Sequence, residues 1–341
     1  MPRRSRLPRA LCGLHLRFNK AQSTRFNLTT NGLESTTMII DQATTLRLIA
    51  AIAAEGSLSP VATLPATETY WSSAKLARTI AVASGKGGVG KSNVAVNVAL
   101  ELAALGHRVT LLDADLALAN ADVLLGISPK YHLGHVLTGQ RTLLEVQIEV
   151  TEGLRLIPGG SGVAELANLT LDQHSRLIAE LRAIEADSDF MIVDTAAGIA
   201  GNVISILKAA TEAIIVTTPD PTALVDAYAT IKLMHQAAPD TRIRIIVNDA
   251  VEIGDAERIF RQLHTTTARF LNLNIELLGT VPHDEELIDA VREQRPVVQY
   301  APDTPASRAF RQIARHLEIT NNPRDKKRAA SFWSVLTSAD Q

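Results

Sequence analysis

Cysteine is nearly absent. The single one, Cys12, lies in a basic stretch near the N-terminus. That excludes a disulfide framework, a Cys-ligated zinc site and an intrachain four-cysteine iron–sulfur cluster. Long apolar runs are missing as well: none reaches the roughly 18 residues that a membrane-spanning helix needs. The net charge is only −2, which excludes nucleic-acid binding through overall basicity, though not through a local patch. What remains is an ordinary globular composition. Apolar residues make up 46% and charged residues 21% of 341, enough for a core and too apolar for global disorder. The length fits two domains, or one large α/β domain with terminal extensions.

Residues 1–37 carry seven basic residues, from Arg3 to Arg25, and no acid before Glu34. We read them as a leader outside the fold, either a transit peptide or a start placed ahead of Met38. Residues 38–58 read as a helix: Asp41 can cap it, and Leu46, Ile49, Ile52 and Ala53 recur at three- and four-residue spacing. Residues 59–76, with Pro60 and Pro65, read as a linker. The main domain spans 77–320. Seven short apolar runs (80–83, 109–112, 154–157, 190–193, 213–216, 243–247 and 277–281) mostly alternate with helical stretches. This alternation predicts an α/β fold with a mostly parallel sheet and helices on both faces. Residues 321–341 form a polar tail ending in a short apolar patch.

The strongest chemical signal is Ser84-Gly85-Lys86-Gly87-Gly88-Val89-Gly90-Lys91-Ser92. It contains G-x-x-x-x-G-K-[ST] between an expected strand and an expected helix. The glycines let backbone N–H groups turn toward phosphate oxygens, and the helix start adds its positive end. Lys91 is expected to reach the β- and γ-phosphates and Ser92 to ligate Mg²⁺, with Asn93 in the same nucleotide-binding turn. Asp113 and Asp115 end the second apolar run, and Asp194 ends the run FMIVD. Carboxylates at the carboxyl ends of parallel strands lie close to such a loop. Asp113 and Asp194 are therefore candidate magnesium residues beside Ser92.

Lys86 makes the loop more specific. K-G-G-V-G-K-S resembles the deviant Walker A signature of the MinD/ParA family of ATPases. The resemblance covers roughly residues 79–318 and implies a P-loop NTPase fold that takes ATP and Mg²⁺. It implies that Lys86 reaches the phosphates held by a partner subunit in an ATP-dependent homodimer. It also implies that Asp115 positions the attacking water, and that Asn248, Pro282 and Asp284 lie at the adenine. Guanine recognition by N-K-x-D is not expected, because the chain reads Asn248-Asp249-Ala250-Val251.

DADLALANADVLLG, IPGGSGVAELANLT and TTPDPTALVDAYATIKL look like the flagellar-number regulator branch, FlhG/FleN. Asp41-Gln42-Ala43, followed by Leu46-Arg47, looks like that branch's element for stimulating an FlhF-type GTPase. The resemblance further implies flagellar switch components or a flagellar transcription regulator as partners. The tail sets Lys326-Lys327-Arg328 before Phe332, Trp333, Val335 and Leu336. This pattern suggests an amphipathic helix on an anionic membrane surface, hence a cytoplasmic protein peripheral to the inner face of the cell membrane. A ParA-type DNA or cargo partitioning protein is the alternative. It needs a basic surface, and no dense Lys/Arg cluster occurs within 79–318, so a nucleic-acid partner is not expected.

Overall fold

The apolar runs of the main domain line up as one sheet. The computed structural model describes residues 24–28, 36–40, 76–115, 119–160, 180–199, 201–252 and 254–320. Two strands, β1 (Thr24–Leu28) and β2 (Thr36–Ile40), pair antiparallel as a sheet of their own. They fall where the sequence was read as a leader and the start of a helix; Met38 lies in β2. Asp41, Gln42 and Ala43, and Phe332, Trp333, Val335 and Leu336, lie outside the described residues.

The main sheet contains β3 (Arg78–Ala83), β4 (Val109–Ala114), β5 (Ile148–Thr151), β6 (Leu154–Ile157), β7 (Phe190–Thr195), β8 (Glu212–Thr217), β9 (Arg242–Ala250) and β10 (Glu276–Pro282). The spatial order is β10-β9-β8-β3-β7-β4-β6-β5. Every pairing is parallel except that of the edge strand β5 with β6. β5 was not expected, because four half-exposed residues leave no apolar run to read.

The central strands are apolar throughout because both faces are covered. In β3, Ala81 and Ala83 join one core and Ile80 and Val82 the other; β7 and β8 alternate likewise. One face is covered by α1 (Lys91–Ala104) and α10 (Pro305–Ile319), which pack on each other, with α8 (Glu285–Arg292) and α9 (Val297–Tyr300). The other is covered by α5 (Gly201–Ala209), α6 (Pro221–Ala237) and α7 (Asp255–Leu271). Shorter helices are α2 (Ala121–Leu124), α3 (Leu133–Leu137) and α4 (Leu143–Val146), and residues 180–186 are helical as well. Among the described residues, no helix is long and apolar enough to cross a membrane.

Candidate active site

The loop between β3 and α1 sits at the carboxyl end of the central strand, where an open parallel sheet binds ligands. Gly88 and Gly90 adopt φ of 83° and 85°, a region open to glycine at no steric cost. Two other elements press on the loop. A Cβ on Gly85 would stand 2.2 Å from the carbonyl oxygen of Asp226 in α6. A Cβ on Gly90 would stand 2.3 Å from Nδ2 of Asn248 at the end of β9. The turn after β7 is attached as well, since Gly198 N–H donates to the Ser84 carbonyl at 2.8 Å.

Lys91 and Asp194 form the centre. Lys91 Nζ lies 2.5 Å from Asp194 Oδ1 and donates to Ser92 Oγ at 3.2 Å. Asp194 is 1% exposed, and its Oδ2 is buried without a hydrogen-bond partner. Burial raises its pKa above the ordinary carboxylate range, and Lys91 and then Ser92 pull it back. Asp113 lies beside Asp194 in the β4–β7 register. Burial, then Asp194, push it up to about 6. Both Asp113 oxygens accept backbone N–H groups: Oδ1 from Asp115 at 3.1 Å, and Oδ2 from Asn120 and Ala121 at 3.0 and 3.1 Å. In this state Asp113 organises the loop that carries Asp115. Asp115 is half-buried, and its charge acts on Asp194.

Asn248 donates Nδ2 to the Val89 carbonyl at 2.9 Å, and its buried Oδ1 has no partner. With one Nδ2 hydrogen on Val89, Oδ1 is offered as an acceptor, which suits an amino group. Asn248 and Pro282 lie within β9 and β10, where the sequence placed them just beyond the strands. Asp284 has a structural role. Its Oδ1 caps α8 through Glu286 N–H, and its Oδ2 accepts Ala306 N–H at 2.9 Å. It therefore ties α8 to the start of α10.

Two contacts of Lys86 were not legible as such in the sequence. Lys86 Nζ bonds to Asp220 Oδ2 at 2.8 Å and to Thr222 Oγ1 at 2.9 Å. Asp220 is the N-cap of α6, and Lys86 holds its carboxyl well below the usual range, at about 2. The cap was visible as Asp220-Pro221, an N-cap followed by proline at the first helical position. Its proximity to Lys86 was not, because the two are 134 residues apart in the chain.

The sequence profile of the ParA family, described as an NUBPL iron-transfer P-loop NTPase, matches residues 75–318. The chain belongs to the ParA family of P-loop ATPases. It is 43% identical over 248 residues to antiactivator FleN of Pseudomonas aeruginosa, covering 72% of this chain and 89% of that one. It is 35% identical to the flagellum site-determining protein YlxH of Helicobacter pylori, over 69% of this chain and 80% of that one. Among solved structures, the MinC:MinD cell division complex of Aquifex aeolicus matches with a TM-score of 0.57 and 27% identity. That match covers 72% of this chain and 98% of the other. This ParA-family protein is thus an ATP hydrolase of the MinD-like FlhG/FleN branch.

The site fits its substrate and metal. The Asp194 carboxylate, with its unpartnered Oδ2 and its bond to the Ser92 hydroxyl, suits a hard cation. Among the described residues, no group of three or more His, Cys, Asp or Glu could hold a metal alone. Mg²⁺ binds through one or two carboxylates together with substrate phosphates and water.

Proposed function

We propose that this chain is an ATP-driven switch that regulates flagellar number or placement. One relative, YlxH, is named as a flagellum site-determining protein, and the more similar FleN as an antiactivator. In the reading we favour, Lys91 neutralises the β- and γ-phosphates, and Ser92 and Asp194 hold Mg²⁺, which supplies further charge neutralisation. Asp115 orients the attacking water, and hydrolysis is slow. Asn248 accepts the adenine amino group. Lys86 reaches the phosphates of a partner subunit, so that ATP closes a homodimer.

The observation that carries the reading is Lys86. Its side chain is 42% exposed on the phosphate loop, where it bonds to Asp220 and Thr222. An exposed ion pair of this kind is weak in water, so the lysine can exchange partners. Light scattering with ATP and Mg²⁺ tests the idea. Asp115→Ala, which blocks turnover, should be dimeric, and adding Lys86→Ala should return it to monomer. A monomer in both cases refutes the cross-subunit role.

The terminal segments extend the proposal to the membrane and an FlhF-type GTPase. Each large apolar side chain of Phe332, Trp333, Val335 and Leu336 contributes roughly 1.5–3 kcal/mol when buried, before ordering costs. Two tails on one dimer make weak binding useful. Pelleting with anionic liposomes should need ATP and should vanish on truncation after Asn322; equal pelleting of the truncated protein would overturn it. A peptide of residues 38–58 should stimulate the GTPase and lose that effect with Gln42→Ala, whereas an unchanged GTPase rate rejects the partner. An iron-transfer role like that in the family description is disfavoured, because residues 75–318 contain no cysteine.

A further inference from the structure

The end of β9 contains a device that the phosphate loop does not require. Val247 pairs with Thr280, and Ala250 pairs with Pro282. One residue of β10, Val281, therefore faces two of β9, Asn248 and Asp249. That is a β-bulge, which re-aims the side chains of the bulged strand. Asp249 takes up the extra length with φ of 58°, a left-handed conformation that aspartate tolerates better than most residues. The result is a divergence of neighbours: Asn248 is buried against the phosphate loop and Asp249 is exposed.

His283 closes the bulge twice. Its backbone N–H donates to the Ala250 carbonyl at 2.9 Å. Its Nδ1 lies 2.6 Å from Asp249 Oδ1, and its Nε2 lies 3.5 Å from Glu285 Oε1 on the first turn of α8. Both ring nitrogens thus face carboxylate oxygens, an arrangement suited to the doubly protonated ring.

We propose that His283 is a positioning residue for the base end of the nucleotide site: its charged ring pins Asp249 and the bulge, and the pinned bulge keeps Asn248 Oδ1 presented to adenine. The inference rests on the reading of Asn248 as the adenine contact. The groups facing the ring are Asp249 from β9 and Glu285 from α8, and these hold His283 protonated to higher pH than its ordinary value, Asp249 foremost. The direction follows. The bridge is present at low pH and is lost as pH rises through the raised pKa, so adenine-nucleotide affinity falls over that range.

Calorimetric titration of the full-length protein with ADP and with inorganic tripolyphosphate tests this. Tripolyphosphate engages the phosphate loop and has no base. At about pH 6, His283→Ala should bind ADP about three- to tenfold more weakly, the factor for one lost hydrogen bond. Its tripolyphosphate affinity should match wild type at the same pH. Wild type should lose the difference between pH 6 and 8.5, whereas His283→Ala and Asp249→Asn should show no such trend. His283→Lys, which keeps a cation, should retain most of the affinity at both pH values. ADP binding by His283→Ala equal to wild type at pH 6 overturns the proposal, as does an equal loss toward tripolyphosphate. Asn248→Ala separates the two levels. If it weakens ADP binding and His283→Ala does not, only the role of His283 fails. If neither does, the adenine reading fails with it.

Discussion

Lys91→Ala is expected to lose nucleotide binding and stability together, whereas Asp115→Ala should lose turnover alone. Lys91 Nζ is the cation bonded to Asp194, and both side chains are buried. With Lys91 on the phosphates as proposed, removing it deletes a hydrogen bond to charged phosphate, which lowers ATP affinity about 10- to 100-fold. It also leaves Asp194 beside Asp113 with no compensating charge. Breaking one side of a buried pair costs on the order of 3–5 kcal/mol. The pH dependence has a definite sign. Lys91 lowers an Asp194 pKa that burial raises, so without Lys91 that pKa rises further. The folded variant then keeps a proton that the unfolded chain releases, and its stability falls as pH increases. The gap in melting temperature from wild type should therefore be smaller at pH 5 than at pH 8. Asp115 is half-buried in a loop, so Asp115→Ala should fold and bind ATP. Its turnover should drop by about 10²–10⁴, the contribution of a positioned proton-transfer or water-orienting group. Hydrolysis at the wild-type rate would reassign the carboxylate.

Gly90→Ala is expected to abolish ATP binding and to lower the melting temperature by on the order of 10 °C. A Cβ there would strike Asn248 Nδ2 at 2.3 Å, in a backbone held at φ 85°. The left-handed conformation costs alanine roughly 1–2 kcal/mol. Pushing Asn248 aside breaks its bond to Val89 and leaves a buried amide unpaired, about 1–3 kcal/mol more. Gly85→Ala should do comparable damage, because the obstacle is the backbone carbonyl of Asp226 in α6, which cannot swing away. Gly87→Ala is the control. Nothing lies within 4 Å of its added Cβ, so its melting temperature should match wild type. A similar drop in all three variants would show that the loop is sensitive to any loss of glycine, not to these two approaches.

Much of this site was legible because its parts are local. The residues from Ser84 to Ser92 are contiguous, and each has a short-range reason for its identity. Asp194 was legible because it ends an apolar run that is buried along its whole length. The base end was less so. Asp284 is an N-cap followed by two glutamates, a local pattern that explains it without any ligand. Asn248 and Pro282 were placed beyond their strands because a bulge extends the β9–β10 pairing past the apolar run.

The sequence alone determined the parallel α/β sheet, the phosphate loop and the order of its acidic partners. These follow from the period of apolar residues and from the backbone demands of a glycine turn, both set within about twenty residues. Only the tertiary structure decided which groups meet. It brought Asp220 of α6 onto Lys86, Asp226 onto Gly85, Asn248 onto Val89 and Gly90, and His283 onto Asp249. Each of these pairs joins the ends of different strands or the start of a helix, and the order β10-β9-β8-β3-β7 sets their distances. No local pattern encodes that order, because a side chain's propensity and period do not depend on which strand becomes its neighbour.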